Sequence, residues 1–338
     1  MLQIYKTQGD RLVPVDGADL TAPPSEDTAR TPLWIDLLDP TPAEAATVEN
    51  YIGIEIPAVA DLEEIEPSSR LYAEEGAVFM TVTTVVGVQS GEPAKTPVAF
   101  ILRNGHLVTV RYAEPRQFRT FLAQAQKGTG ERYDTAEAIM LGLLEAQVNW
   151  LADLLELIGH DIDSMSQGVF QSKVKKVSRK TADLRSTMGE IGRQGDLLSL
   201  VRESLVSLSR LLTYHHTLSP RTKGDKAEKA DKEARNRTRI LVRDAQSLSE
   251  HASFLSTKLS FMLDATLGLI NLEQNQIIKI FSVVAVIFVP PTLVASIYGM
   301  NFQGMPELDW SFGYPFALIL MLVSAGLPLL YFKRRGWL

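Results

Sequence analysis

Residues 280–298 read IFSVVAVIFVPPTLVASIY, nineteen residues without a charge, and the rest of the chain is best understood outward from them. As a helix this stretch is about 28 Å long, close to the hydrocarbon thickness of a bilayer. A second uncharged run of nineteen, residues 314–332 (YPFALILMLVSAGLPLLYF), follows after a fifteen-residue loop. Two buried core helices would also be apolar. Two such runs side by side, closed by Lys333-Arg334-Arg335, instead suit a membrane hairpin. The joining loop holds Glu307 and Asp309 and no Lys or Arg, whereas Lys279 and residues 333–335 flank the other ends. The positive-inside rule therefore places both termini in the cytoplasm and the loop outside. The start, Met1-Leu2-Gln3-Ile4-Tyr5-Lys6, has neither a basic segment nor a long apolar run, so no secretory signal is expected.

Within the first span, Pro290-Pro291 removes backbone hydrogen bonds, which a membrane helix tolerates where packing or water compensates. Ala285, Val289, Thr292 and Ser296 share one face by steps of four, three and four. Toward the cytoplasm the same stripe reaches Ile278, Asn275, Asn271 and Asp264. Small and hydroxyl residues in a row have two readings, a helix-packing face or a pore lining. One two-span subunit cannot enclose a pore, so the second reading requires an oligomer around the first span.

Before the spans the chain is largely polar. Its 338 residues carry 34 Lys and Arg against 40 Asp and Glu, and that acidic balance speaks against a nucleic-acid partner. There is no cysteine, which excludes disulfides and thiolate metal sites. Residues 1–130 read as an α/β domain. Strands are expected at 2–6, 12–15, 33–37, 77–88, 98–102 and 107–111, the last two joined by Asn104-Gly105, a pair suited to a type I′ turn. Thr41-Pro42-Ala43-Glu44 is a capping box that should open a helix to about Tyr51, with further helices over 57–65 and 115–126. Helical periodicity then predicts long helices over about 134–165 and 173–218, and a solvated charged turn over 219–232. From about Ala230 a further helix should run without interruption into the first span. Leu241, Leu248, Leu255, Met262 and Leu269 repeat every seven residues along it, with Ala245, Ala252, Leu259 and Thr266 as companions. The expected division is 1–130, then a helical stalk over 131–275, then a membrane hairpin over 276–338.

The residues at the outer end of the first span add a resemblance. Tyr298-Gly299-Met300-Asn301-Phe302, followed by Met305-Pro306-Glu307-Leu308, is similar to the signature of the CorA family of magnesium channels. The resemblance implies a funnel: an α+β cytoplasmic domain, a long helical stalk and two C-terminal transmembrane helices, assembled as a homopentamer in the plasma (inner) membrane. It implies Gly299, Met300 and Asn301 as a selectivity filter, with Asn301 meeting hydrated Mg2+ through the ion's own waters. Thr292 and Asn275 become polar stations of the pore and Asp264 an acidic ring at its cytoplasmic entrance, where the cation is also met. Ile278, Phe281 and Val289 correspond to apolar constrictions. Mg2+ sheds water reluctantly, so an amide ring that binds the hydrated ion suits passage better than carboxylates that would hold it. Gly299 is expected to permit the turn that aims Asn301 at the axis. Glu307 and Asp309 either concentrate cations at the mouth or only keep the loop soluble.

No cofactor is implied beyond the transported ion and a regulatory Mg2+ in the cytoplasmic domain. For the latter the pattern departs from the family: residues 85–91 hold no acid, and Asp244 and Glu250 are the stalk candidates. Two other readings stand beside this one. A Zn2+ transporter of the ZntB branch would usually carry Gly-Ile-Asn where this chain has Gly-Met-Asn. A membrane-anchored coiled-coil scaffold would explain the heptads but not Asn301 in its setting. An enzyme is not expected, as no phosphate-cradling loop, dinucleotide fingerprint or His-Glu-x-x-His occurs. Without a nucleotide motif, flux would be driven by the membrane potential, and Co2+ and Ni2+ should pass as similar hydrated dications. His215-His216 is read as structural or surface, and the sequon Asn236-Arg237-Thr238 is discounted as cytoplasmic.

Overall fold

The computed structural model describes residues 1–15, 20, 32–64, 66–128, 132–171, 177–218, 225–301, 304–306 and 310–336. They form two compact units, one of Met1–Phe170 with Gly189–Phe261, the other of Gln171–Met188 with Met262–Leu338.

The first unit is built on a seven-stranded sheet. Its strands are β1 (Leu2–Gln8), β2 (Arg11–Val15), β3 (Trp34–Leu38), β4 (Leu71–Glu74), β5 (Ala77–Val86), β6 (Ala94–Arg103) and β7 (His106–Arg111). Their order is β2-β1-β3-β7-β6-β5-β4, with β3 and β7 parallel and every other pair antiparallel. The β6–β7 turn is the expected one: Arg103 pairs with His106, and Asn104 and Gly105 take φ of 48° and 81°. The same device joins β4 to β5, where Glu75 and Gly76 take φ of 49° and 78°. That hairpin was not expected, because Glu is an unusual residue at positive φ. Strand β5 stops at Val86, two residues short of expectation. Gly87 turns there with φ of 72°, and a Cβ on it would lie 2.2 Å from the Glu92 carbonyl oxygen.

Helices follow the expected signals with shifted ends. Helix α1 (Pro42–Ile52) carries both halves of the capping box: Thr41 N–H donates to Glu44 Oε2 at 2.9 Å, and Glu44 N–H donates to Thr41 Oγ1 at 3.4 Å. Helix α2 is only Val59–Glu63, opened by Ala58 N–H donating to Asp61, and a four-residue α3 (Pro67–Arg70) follows. Helix α4 spans Arg116–Lys127. The long helices α5 (Ala136–Gln171) and α7 (Asp225–Tyr298) exceed their expected lengths, and α6 (Val177–Leu218) is described from Val177, residues 173–176 of the expected span lying outside the described residues. Residues 219–224 of the expected charged turn lie outside the described residues. From Asp225 onward the turn is corrected to helix, because Ala, Lys and Glu are strong helix formers and opposite charges recur at i,i+4.

Alternation places β3 between two cores. Ile35 and Leu37 face α1 with Ile4, Val48, Ile101 and Val110. Trp34 faces the other way, stacked on Tyr5 and edge-on to Phe121 of α4. On that side Asp36 and Arg111 form a buried bidentate pair at 2.8–3.2 Å. Thr109 Oγ1 donates to Asp36 at 2.6 Å and accepts from Trp34 Nε1 at 2.9 Å. Pairing of β4 with β5 ends at Met80, which leaves the far edge of β5 without a strand. Thr83 lies opposite Pro97, which has no N–H to offer, and its own N–H and C=O bond at that edge instead. Ser207 accepts from Thr83 N–H at 2.9 Å, and Ser204 and Gln147 donate to its carbonyl at 2.7 and 3.2 Å. In this way α5 and α6 stand in for the missing strand and fix the sheet to the long helices.

Candidate functional site: the exposed stripe of α7

Along α7 the seven-residue seam divides the helix into an inner and an outer face. In the first unit Leu241, Ala245, Ala252, Leu255 and Leu259 are buried and Leu248 is half-buried. Leu255 packs over Gly159 of α5 and Leu259 over Gly195 of α6, where an added Cβ would meet them at 3.8 and 3.5 Å, ordinary van der Waals contact. In the second unit the seam continues through Met262, Thr266 and Glu273, all buried.

Two residues on from any seam position the helix has turned about 200°, to the opposite face. There stand Asp264, Asn271, Ile278, Ala285, Thr292 and Gly299, spaced by seven, every one exposed. Their companions Gly268, Asn275, Ser282, Val289 and Ser296 are exposed as well. Ile278 and Val289 are each 61% exposed and the neighbouring Phe281 70%, and large apolar side chains on the helix's other faces, such as Ile280, Phe288 and Leu293, are exposed to a similar degree. From Asp264 to Ser296 the helix rises about 48 Å, so one chain lines these residues up in a row and does not gather them into a cluster. Gly268 and Ser282 were missed in the sequence, although the interval from Asn275 to Val289 and Ser296 contained the signal.

The helix runs through Pro290 and Pro291, which leaves the carbonyls of Val286 and Ile287 without their amide partners. Thr292 Oγ1 donates to the Phe288 carbonyl at 2.7 Å. At the C-terminal end of α7, Gly299 N–H donates to Ala295 O at 2.9 Å and Met300 N–H to Ile297 O at 3.3 Å. Gly299 lies in the turn that ends α7, and its φ is not positive. Its lack of a side chain is used differently: a Cβ would stand 3.0 Å from the Ala295 carbonyl oxygen. Met300 and Asn301 follow, both exposed. Glu307 and Asp309 lie outside the described residues.

Helix α8 (Gly313–Arg334) is the second apolar run. Three described helical stretches are long and apolar enough to cross a membrane: Ala136–Phe170, Lys232–Tyr298 and Gly313–Arg334. The apolar window of the first is 61% buried within the protein, against 6% for each of the other two. Helix α5 is thereby a core helix, and the apolar surface left exposed belongs to α7 and α8. Among the described residues no group of three or more His, Cys, Asp or Glu could hold a metal ion. Asp244 is half-buried and Glu250 exposed on α7. His215 is buried with Nε2 3.0 Å from Glu137, while His216 is exposed. Thr238, in the discounted sequon, is buried and bonded to the Ala234 carbonyl.

The profile of the CorA-like Mg2+ transporter proteins matches residues 30–334, nearly the whole chain. The chain belongs to the CorA-like Mg2+ transporter family. Magnesium transport protein CorA of Yersinia pseudotuberculosis serotype I (strain IP32953) is 34% identical over 341 residues, covering 100% of both chains. The protein of the same name from Escherichia coli (strain K12) is 35% identical over 309 residues, 90% of this chain and 92% of that one. The complete structure of the CorA magnesium transporter from Methanocaldococcus jannaschii superposes with a TM-score of 0.77 at 20% identity. It covers 100% of this chain and 99% of that one, which shows a shared fold. The CorA-like fold thus accounts for the mixed sheet, the paired long helices and the 74-residue α7. The family is one of membrane transporters and not of enzymes.

Proposed function

We propose that this protein is a channel for hydrated divalent cations, Mg2+ first, working as a homo-oligomer with α7 around the pore. The observation that carries this reading is the exposed stripe of α7. It runs opposite the buried seam and ends in Gly299-Met300-Asn301. Asp264 collects cations at the cytoplasmic end, Asn275 and Thr292 hydrogen-bond to waters on the ion, and Asn301 selects at the outer end. Ala285 and Ser296 complete the lining between them. Ile278, Phe281 and Val289 narrow the path with side chains that offer a hydrated ion nothing in return for its water.

The proposed arrangement has three parts: a cytoplasmic domain over 1–130, a stalk over 131–275 and a membrane hairpin over 276–338. Both termini lie in the cytoplasm of a plasma-membrane protein, and the assembly is a pentamer. Flux follows the membrane potential, about 4.6 kcal/mol per 100 mV for a dication. Co2+ and Ni2+ pass as well, since binding through the hydration shell distinguishes poorly among ions of similar size. A regulatory Mg2+ in the cytoplasmic domain, with Asp244 and Glu250 as candidate ligands, is part of the same reading. The test is Mg2+ flux into vesicles carrying the full-length protein. Asn301→Ala should abolish flux with insertion and assembly intact, and flux equal to the parent's would remove the filter from Asn301.

A further inference from the structure

The exposed face of α7 does not begin at Asp264. Within the first unit, Phe254 and Phe261 are 60% and 62% exposed and lie seven residues apart. They stand two positions after the buried Ala252 and Leu259, about 200° around the helix from those seam residues. The buried seam keeps a seven-residue interval from Leu241 to Leu259, so the helix follows its neighbours there and the opposite face keeps the same interval. Both rings are backed by other aromatic rings. Phe170 of α5 stacks on Phe261 with centroids 6.5 Å apart, and His251 stacks on Phe254 at 6.2 Å. The hydroxyls around them are turned inward: Ser253, Thr257 and Ser260 each donate to a carbonyl of their own helix four residues back. Lys258 is engaged by Asp163. This face presents two supported phenyl rings to the outside and spends its hydroxyl protons on its own backbone.

We propose that Phe254 and Phe261 of neighbouring copies meet around the axis as an apolar collar, a second barrier on the cytoplasmic path of the ion. The occupant of this face is another copy of the chain. Counting on by sevens from Phe254 gives Phe261, Gly268, Asn275, Ser282, Val289 and Ser296, the same register that lines the proposed pore. The inference rests on that channel reading. A ring of phenyl groups offers no oxygen to a cation and sheds water from a narrow passage, so it opposes a hydrated dication by dewetting.

The chain has no cysteine, so Phe261→Cys and Thr292→Cys each introduce a single thiol per copy in the full-length protein. With a short bismaleimide both variants should give covalent dimers between copies. Linking at Thr292→Cys without linking at Phe261→Cys would overturn the collar and leave the channel reading standing. Linking at neither would overturn both. In vesicles Phe254→Ser with Phe261→Ser should raise Mg2+ flux about threefold or more, whereas Phe261→Leu, still apolar, should not. Unchanged or reduced flux in the double serine variant, with the oligomer intact, would overturn the barrier.

Discussion

Asp36 and Arg111 show how a single buried pair can hold the sheet together far along the chain from the stripe of α7. Both are almost fully buried, on the two parallel strands at the centre of the sheet, and Thr109 and Trp34 complete their hydrogen bonds. Asp36→Ala would leave the Arg111 guanidinium buried without its counter-charge, a loss of about 3–5 kcal/mol. The expected outcome is faster amide exchange in β3 and β7 of the full-length protein; unchanged protection there would show that the pair is dispensable. Of this network only the alternation of β3 was visible in the sequence. Nothing local in Trp34-Ile35-Asp36-Leu37 says that its aspartate faces an arginine 75 positions away. Gly299 was legible as a glycine the chain needs, but the need is space beside the Ala295 carbonyl, which only backbone geometry reveals.

Helix α7 carries both a buried seam and an exposed stripe because its length lets one seven-residue period serve twice. The inner seam, with Ala245 and Ala252 at its narrow positions, docks against neighbouring helices. The opposite, outer face stays exposed, and in the proposed channel other copies cover it. Ile278 and Phe281 lie about one turn apart on or beside that outer face. If they only packed, Ile278→Ser or Phe281→Ser would weaken assembly and lower flux. As a gate that closes by dewetting, the same substitutions should wet the constriction and raise flux, most clearly at high internal Mg2+. Flux assays at low and high internal Mg2+, with the oligomer checked in parallel, separate the two, and a fall in flux with intact assembly would move the gate to Val289. The heptads and the uninterrupted helix were legible in the sequence because both are periodic and local. The true start at Asp225 was not, since a run of charges reads equally as turn or as exposed helix until the backbone is seen.

For the whole molecule the decisive quantity is the charge placed on each side of the two apolar helices. Lys279 and residues 333–335 flank the ends away from the loop, the loop between them lacks basic residues, and the proposed topology puts the basic ends inside. A membrane-impermeant thiol reagent should therefore label Gln303→Cys from outside intact cells and leave Gly336→Cys and Ser219→Cys untouched. Labelling of Gly336→Cys from outside would invert the topology. Positions 303 and 219 lie outside the described residues, but the assay needs only their side of the membrane.

Composition and period, read without any fold, were enough for the two apolar C-terminal runs, the seven-residue seam, the Asn104-Gly105 hairpin, the Thr41 capping box and the Gly299-Met300-Asn301 ending. Each is encoded within a few neighbouring residues, where hydropathy, helix rise and turn sterics act directly. Which of three apolar helices is buried, which face of α7 is open, and how Ser204, Ser207 and Gln147 stand in for a missing strand were settled only in three dimensions. These depend on contacts between segments far apart in the chain. A buried and an exposed apolar residue look alike in sequence until tertiary packing removes one of them from solvent.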